Sequence, residues 1–136
     1  MSTRFVLDSW AVLALLQKKN PAAERVAELM RKAGQNEVQL AMSLINLGEV
    51  YYIFGRKNGV QAAEEILTTI QKLPIQILPA AEHSVITAAR YKMNNFIAYA
   101  DAFAVAAAKK LDAVLLTGDP ELLSLAQVVQ IERLDR

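Results

Sequence analysis

Phe5-Val6-Leu7-Asp8-Ser9, running straight into Trp10-Ala11-Val12-Leu13-Ala14-Leu15-Leu16, is the stretch on which the reading of the fold turns. Three β-formers, an acid and then a helix-forming run predict a buried strand whose last residue opens a helix, which sets Asp8 at the strand's carboxyl edge. Asp before a helix is also a common N-cap and needs no further role. Whether Asp8 has one depends on what else arrives at that edge.

The same grammar repeats along the chain. Asn20-Pro21 predicts a cap and first helical residue, followed by Val26, Leu29, Met30 and Ala33 at helical spacing up to Gly34. Val38 to Met42 predicts a strand, and Ser43 a cap for a helix through Tyr51-Tyr52-Ile53-Phe54, with Leu44, Leu47 and Tyr51 serving the core. Gly55 and Gly59 are read as breaking that helix, leaving a hairpin with a basic tip at Arg56-Lys57. A helix marked by Val60, Ala63, Ile66, Leu67, Ile70 and Leu73 follows and ends at Pro74. Ile75 to Leu78 alternates as a strand, and Ala81 to Met93 is helical with Val85, Ala89 and Met93 inward. An alanine-rich helix runs from Tyr99 to Lys110, with Asp101 in its first turn and lysines in its last, as the helix dipole favours. Ala113 to Thr117 is the next strand, Gly118-Asp119-Pro120-Glu121 a turn into a short helix, and Val128 to Ile131 the last strand.

Strands apolar on both faces and alternating with helices predict an α/β fold, a three-layer α/β/α sandwich around a parallel sheet. At 136 residues, 1–136 reads as a single domain with one sizeable core. With no cysteine, disulfides and thiolate metal sites are excluded and a reducing compartment is expected. The start, Met1-Ser2-Thr3-Arg4-Phe5, lacks the long apolar run of a signal peptide, and no run reaches membrane-spanning length, so a cytoplasmic protein without a membrane partner is expected.

Parallel topology makes the acids informative. Asp8 and Asp119 follow strand ends directly, and open α/β sheets bind ligands at that edge. Glu49 lies on a helix leaving the same edge. Asp101 opens a crossover helix, which must start at the carboxyl edge for the next strand to run parallel. Each has a plain structural alternative: a cap for Asp119, a dipole partner for Asp101, an exposed helix face for Glu49. Together they converge on one rim. Gly48, costly within a helix, suggests close packing beside Glu49. Clustered carboxylates repel and raise one another's pKa unless a hard cation relieves them, and oxygen ligands with a lone His83 suit Mg²⁺ or Mn²⁺ better than zinc. Such ions support in-line hydrolysis of a phosphodiester. Fifteen Lys/Arg face fourteen Asp/Glu, so four acids in one pocket would leave a body of charge +5 around an acidic hole, suited to a polyanion.

Val6-Leu7-Asp8-Ser9, Asn46-Leu47-Gly48-Glu49-Val50, Tyr99-Ala100-Asp101-Ala102-Phe103-Ala104 and Leu116-Thr117-Gly118-Asp119 together resemble the four acidic motifs of PIN-domain nucleases, in particular the VapC-type toxins of toxin–antitoxin pairs. The resemblance spans nearly the whole chain in order. It implies a Mg²⁺- or Mn²⁺-dependent endoribonuclease with Asp8, Glu49, Asp101 and Asp119 as catalytic and metal-holding acids, on a sheet of four or five parallel strands. It implies an RNA substrate, a homodimer and a small antitoxin protein that inhibits the site. By the same resemblance Ser9, Asn46 and Thr117 support the acids or position water, although Ser9 also suits a cap and Thr117 a strand end. Glu121 is the nearest further acid and is left outside the core site. Two other readings are a PIN nuclease in RNA processing or DNA metabolism, and a phosphoacceptor signalling domain. The latter expects paired acids after the first strand, where this chain has Ser9. His83 reads as a surface histidine, Trp10, Tyr51, Tyr52 and Phe54 as core or dimer interface, and Arg56, Lys57, Arg90 and Lys92 as solvated charges.

Overall fold

The computed structural model describes residues 2–136. Five strands, β1 (Thr3–Leu7), β2 (Val38–Ser43), β3 (Ile75–Leu78), β4 (Val114–Thr117) and β5 (Ile131–Arg133), form one sheet in the order β3-β2-β1-β4-β5. Every pairing is parallel. Seven helices cover it: α1 (Ser9–Leu16), α2 (Ala22–Gly34), α3 (Leu44–Asn58), α4 (Val60–Gln71), α5 (Glu82–Asn94), α6 (Tyr99–Leu111) and α7 (Pro120–Leu123).

The two-residue period of a strand sorts the core into two layers. Phe5, Leu7, Leu40, Met42 and Leu116 point to one face, where they pack with Val12, Val26, Leu29, Leu47, Val50 and Ile70 of α1–α4. Val6, Ala41 and Leu115 point to the other, against Phe103, Val105 and Ala106 of α6 and Leu122 of α7. Right-handed crossovers require this division, because the path β1-β2-β3 moves one way across the sheet and β3-β4-β5 moves back the other. The reversal leaves a crevice between the carboxyl ends of β1 and β4, the topological switch point at which such sheets bind ligands. The expected sandwich is thus present, with five strands.

Local readings differ in five respects. The helix expected to break at Gly55 continues to Asn58, and only Gly59, at φ +96°, turns the chain. Gly55 serves packing instead, since a Cβ there would lie 3.0 Å from the Ala63 Cβ of α4. Gly48, read as a point of close approach, faces open space. The last strand lies at Ile131–Arg133 rather than Val128–Ile131, because Val129 turns into the α6 side of the core and a polar Glu-Arg pair suits an exposed sheet edge. Leu44, Val60 and Met93, expected inward, are exposed, each in a terminal turn of its helix. Asn20 does not cap α2 either; Pro21 holds the cap position.

Candidate active site

Asp8 ends β1 and caps α1 at once. Its Oδ1 accepts from the Ala11 backbone N–H at 2.8 Å, satisfying a donor that the first helical turn leaves free. Its Oδ2 accepts a short hydrogen bond from the Thr117 hydroxyl at the end of β4. Thr117 is shared: its oxygen accepts from the Asp119 N–H at 3.0 Å. One hydroxyl therefore links the acids of the two central strands. Asp8 is fully buried, and burial, resisted by the Thr117 and Ala11 bonds, raises its pKa to about 7, with the nearby charges of Asp119 and Glu49 adding to the rise.

Asp101 stands in the first turn of α6, 5 % exposed. Burial first, then the charges of Asp119, Asp8 and Glu49, push its pKa to about 8. Unlike Asp8, it receives no hydrogen bond from the chain among the described residues. Asp119 caps α7, accepting from the Glu121 N–H at 3.0 Å, so its capping and its place at the rim coexist. Glu49 reaches down from α3 and accepts a short hydrogen bond from the Ser9 hydroxyl. Asn46, one turn earlier, is fully buried and donates through Nδ2 to the Ala100 carbonyl at 3.0 Å, tying α3 to the start of α6 beside Asp101. Its Oδ1 is the buried side-chain atom that finds no partner among the described residues.

All four acids expected at the rim meet there, in two tiers. Asp8 lies beneath, enclosed. Glu49, Asp101 and Asp119 line an open cleft with Ser9, Trp10 and Glu121. Within it, Asp101, Asp119 and Glu121 each offer an oxygen, all within 4.8 Å of one another. Glu121 thus belongs with the clustered oxygens, a residue the sequence reading left out. The available signal was Asp119-Pro120-Glu121: an N-cap acid with proline at the next position opens a helix, which sets Glu121 in its first turn beside Asp119. The tight oxygens and the burial of Asp101 fit a hard divalent ion.

The other singled-out residues divide. Phe54 packs on the core, whereas Tyr52 is exposed beneath the Arg56 guanidinium, 5.4 Å from its ring centroid. His83 is exposed on α5. Trp10, expected in the core or an interface, is partly buried against the core and also borders the acidic cleft.

The sequence matches the PIN domain family model over residues 5–128. The chain belongs to the PIN domain family. That membership sets aside the phosphoacceptor reading, and solved structures of the same fold cover most of the chain. A chain of the Rickettsia felis VapBC2 complex bound to promoter DNA superposes with TM-score 0.74 at 14 % identity, covering 98 % of this chain and 100 % of that one. For VapBC-1 of nontypeable Haemophilus influenzae the values are 0.70 and 20 %, covering 96 % and 98 %. Mycobacterium tuberculosis VapC20, a toxin that cleaves the sarcin–ricin loop, gives 0.69 and 15 %, covering 88 % and 93 %. Comparison with curated proteins finds no match. Among the described residues of this PIN domain, no helix is long and apolar enough to cross a membrane.

Proposed function

We propose that this PIN domain is a Mg²⁺- or Mn²⁺-dependent endoribonuclease acting as the toxin of a toxin–antitoxin pair in the cytoplasm. The observation that carries the reading is the convergence of Asp101, Asp119 and Glu121 oxygens within 4.8 Å over the β1/β4 crevice, with Asp8 beneath and Glu49 beside them. Asp101, Asp119 and Glu121 would hold the ion, with Asp8 and Glu49 completing its surroundings. When bound, a divalent ion there supplies compensation for the charge that builds on a phosphodiester and makes water easier to deprotonate.

The chain's own residues do the rest. Thr117 orients Asp8, and the Ala11 N–H fixes the other oxygen, so that carboxylate cannot rotate. Ser9 orients Glu49 in the same way. Asn46 holds the start of α6, and its free Oδ1 is suited to accept from a water or a protonated neighbour.

Toxin identity draws support from the neighbouring VapBC structures, and two exposed apolar sets are available for partners. Met93, Phe96 and Tyr99 cluster in sequence at the α5–α6 turn, and Leu44, Tyr52 and Val60 lie on α3 and α4. A homodimer and a small antitoxin protein are the proposed occupants. The test incubates purified protein with labelled RNA and with DNA of the same sequence, in Mg²⁺, Mn²⁺ or EDTA. RNA cut only with metal, and DNA left intact, is the expected result. DNA cut equally well would favour the role in DNA metabolism, and no cleavage of either would remove the nuclease reading.

A further inference from the structure

Arg136 is the single cation among the described residues lining the acidic cleft, which it shares with Glu49, Asp101, Asp119 and Glu121. A guanidinium so placed should pair with a carboxylate, yet the described ion pairs are Arg25–Glu28, Arg25–Glu132, Lys32–Glu28 and Arg133–Asp135. It stacks instead over Trp10, with Cζ 4.8 Å from the ring centroid.

Both partners are held in place by the fold. Leu134 N–H donates to the Thr117 carbonyl at 2.9 Å, and Ala22 N–H donates to the Asp135 carbonyl at 2.8 Å, so the backbone entering Arg136 is pinned to β4 and α2. Arg25 grips Glu132 with two hydrogen bonds, at 2.8 and 2.9 Å, and anchors β5 just upstream. Trp10 is wedged over Gly118: a Cβ there would fall 2.3 Å from its Cη2 and Cζ2 atoms and 2.6 Å from the Leu134 carbonyl oxygen. Glycine at 118 is thus what allows the indole and the last segment to close over the turn bearing Asp119. A planar guanidinium lying on a ring keeps its N–H donors at the edge, free for two-point contact with a phosphate.

We propose that Arg136 binds a phosphate of the RNA adjoining the scissile one, and that Trp10 is the positioning residue that holds its guanidinium. The proposal rests on the ribonuclease reading. A polyanion entering a cleft walled by carboxylates needs a cation in its lining, and Arg136 is the one that the described residues of the cleft provide.

The test compares wild type with Arg136→Gln, Arg136→Lys and Trp10→Leu on a single-stranded RNA oligonucleotide across a salt series. Mn²⁺ binding is followed separately, by quenching of the chain's only tryptophan in wild type and the Arg136 variants and by calorimetry in Trp10→Leu. Arg136→Gln is expected to raise KM roughly 5- to 10-fold with kcat within about twofold and to flatten the salt slope by about 0.7, one phosphate contact on a single strand. Mn²⁺ binding should persist. Arg136→Lys should recover the salt slope but not the full KM, because an ammonium lacks the planar fork. Trp10→Leu should reproduce the KM defect, and Trp10→Phe, which keeps a ring under the guanidinium, should restore it and serves if the leucine variant does not fold. An unchanged KM and salt slope in Arg136→Gln, with wild type cutting RNA, would overturn this proposal alone. Wild type that binds Mn²⁺ but cuts no RNA would overturn the ribonuclease reading and this proposal with it.

Discussion

Asp8 and Asp101 both sit buried at the carboxyl edge with raised pKa values, yet the chain treats them in opposite ways. Asp8 accepts from the Ala11 N–H and the Thr117 hydroxyl, so removing it would strand two donors. Asp101 accepts no hydrogen bond among the described residues and faces Asp119 and Glu121 across less than 5 Å, within the 4.8 Å span of their oxygens. One acid is part of the framework as well as the site. The other has no such framework role, its burial being relieved by protonation, and buried groups of that kind mark functional sites more often than structural ones.

The largest effect should come from Asp101. Asp101→Asn is expected to lower metal-dependent RNA cleavage by roughly 10²- to 10³-fold, the scale of losing one electrostatic stabiliser in an active site. Without metal and above about pH 8, where Asp101 is ionised, its melting temperature should hold or rise, because a buried repelling charge is gone; a fall of many degrees would erase the contrast with Asp8. Next comes Asp8→Ala, which should destabilise the metal-free protein by roughly 2–3 kcal/mol, combining a lost N-cap with an unsatisfied Thr117 hydroxyl. Asp8→Asn keeps an oxygen for Ala11 and should cost under about 1 kcal/mol. Urea titrations of the two variants decide this, and equal stability would mean that the hydrogen bonds of Asp8 carry nothing.

A pH series sharpens the comparison further. Both carboxyls are held above the ordinary 3.8, Asp8 at about 7 and Asp101 at about 8, so between these values the folded state binds more protons than the unfolded one. Stability contributed by the protonated forms is complete below about pH 4 and is lost as pH rises through 7 and 8. Urea midpoints in EDTA should therefore fall from pH 4.5 to 8.5, whereas Mn²⁺ affinity, which requires deprotonated ligands, should rise over the same range. A midpoint that climbs with pH in EDTA would contradict the burial of both acids. The smallest effect belongs to Glu121, exposed at the rim. Glu121→Gln should weaken Mn²⁺ roughly tenfold by calorimetry while leaving stability unchanged.

Much of this was legible before any coordinates. The alternation of apolar strands and amphipathic helices carried the sandwich, since burial on both faces leaves parallel strands few alternatives. Asp8 and Asp119 could be placed from strand ends alone, and Asp101 from the direction that a crossover helix must run. Glycine was the least readable residue. Gly55 and Gly48 were assigned each other's kind of role, because a helical glycine tolerates close packing and open solvent equally and only the neighbouring helix shows which applies. Val128 to Ile131 misled for a related reason: an apolar β-branched run fits a strand and a core-facing turn alike.

Residue type and order by themselves determined the fold class, the rim and the four acids directed toward it, because these follow from periodicity and chain direction. Which oxygens share an ion was left to the tertiary structure, as was the descent of Asp8 beneath the cleft, the recruitment of Glu121 and the stacking of Arg136 on Trp10. Those depend on side-chain reach between separate elements, up to more than a hundred residues apart in the Thr117–Asp8 bond, and separations of a few ångströms between elements are decided by packing, not by local pattern.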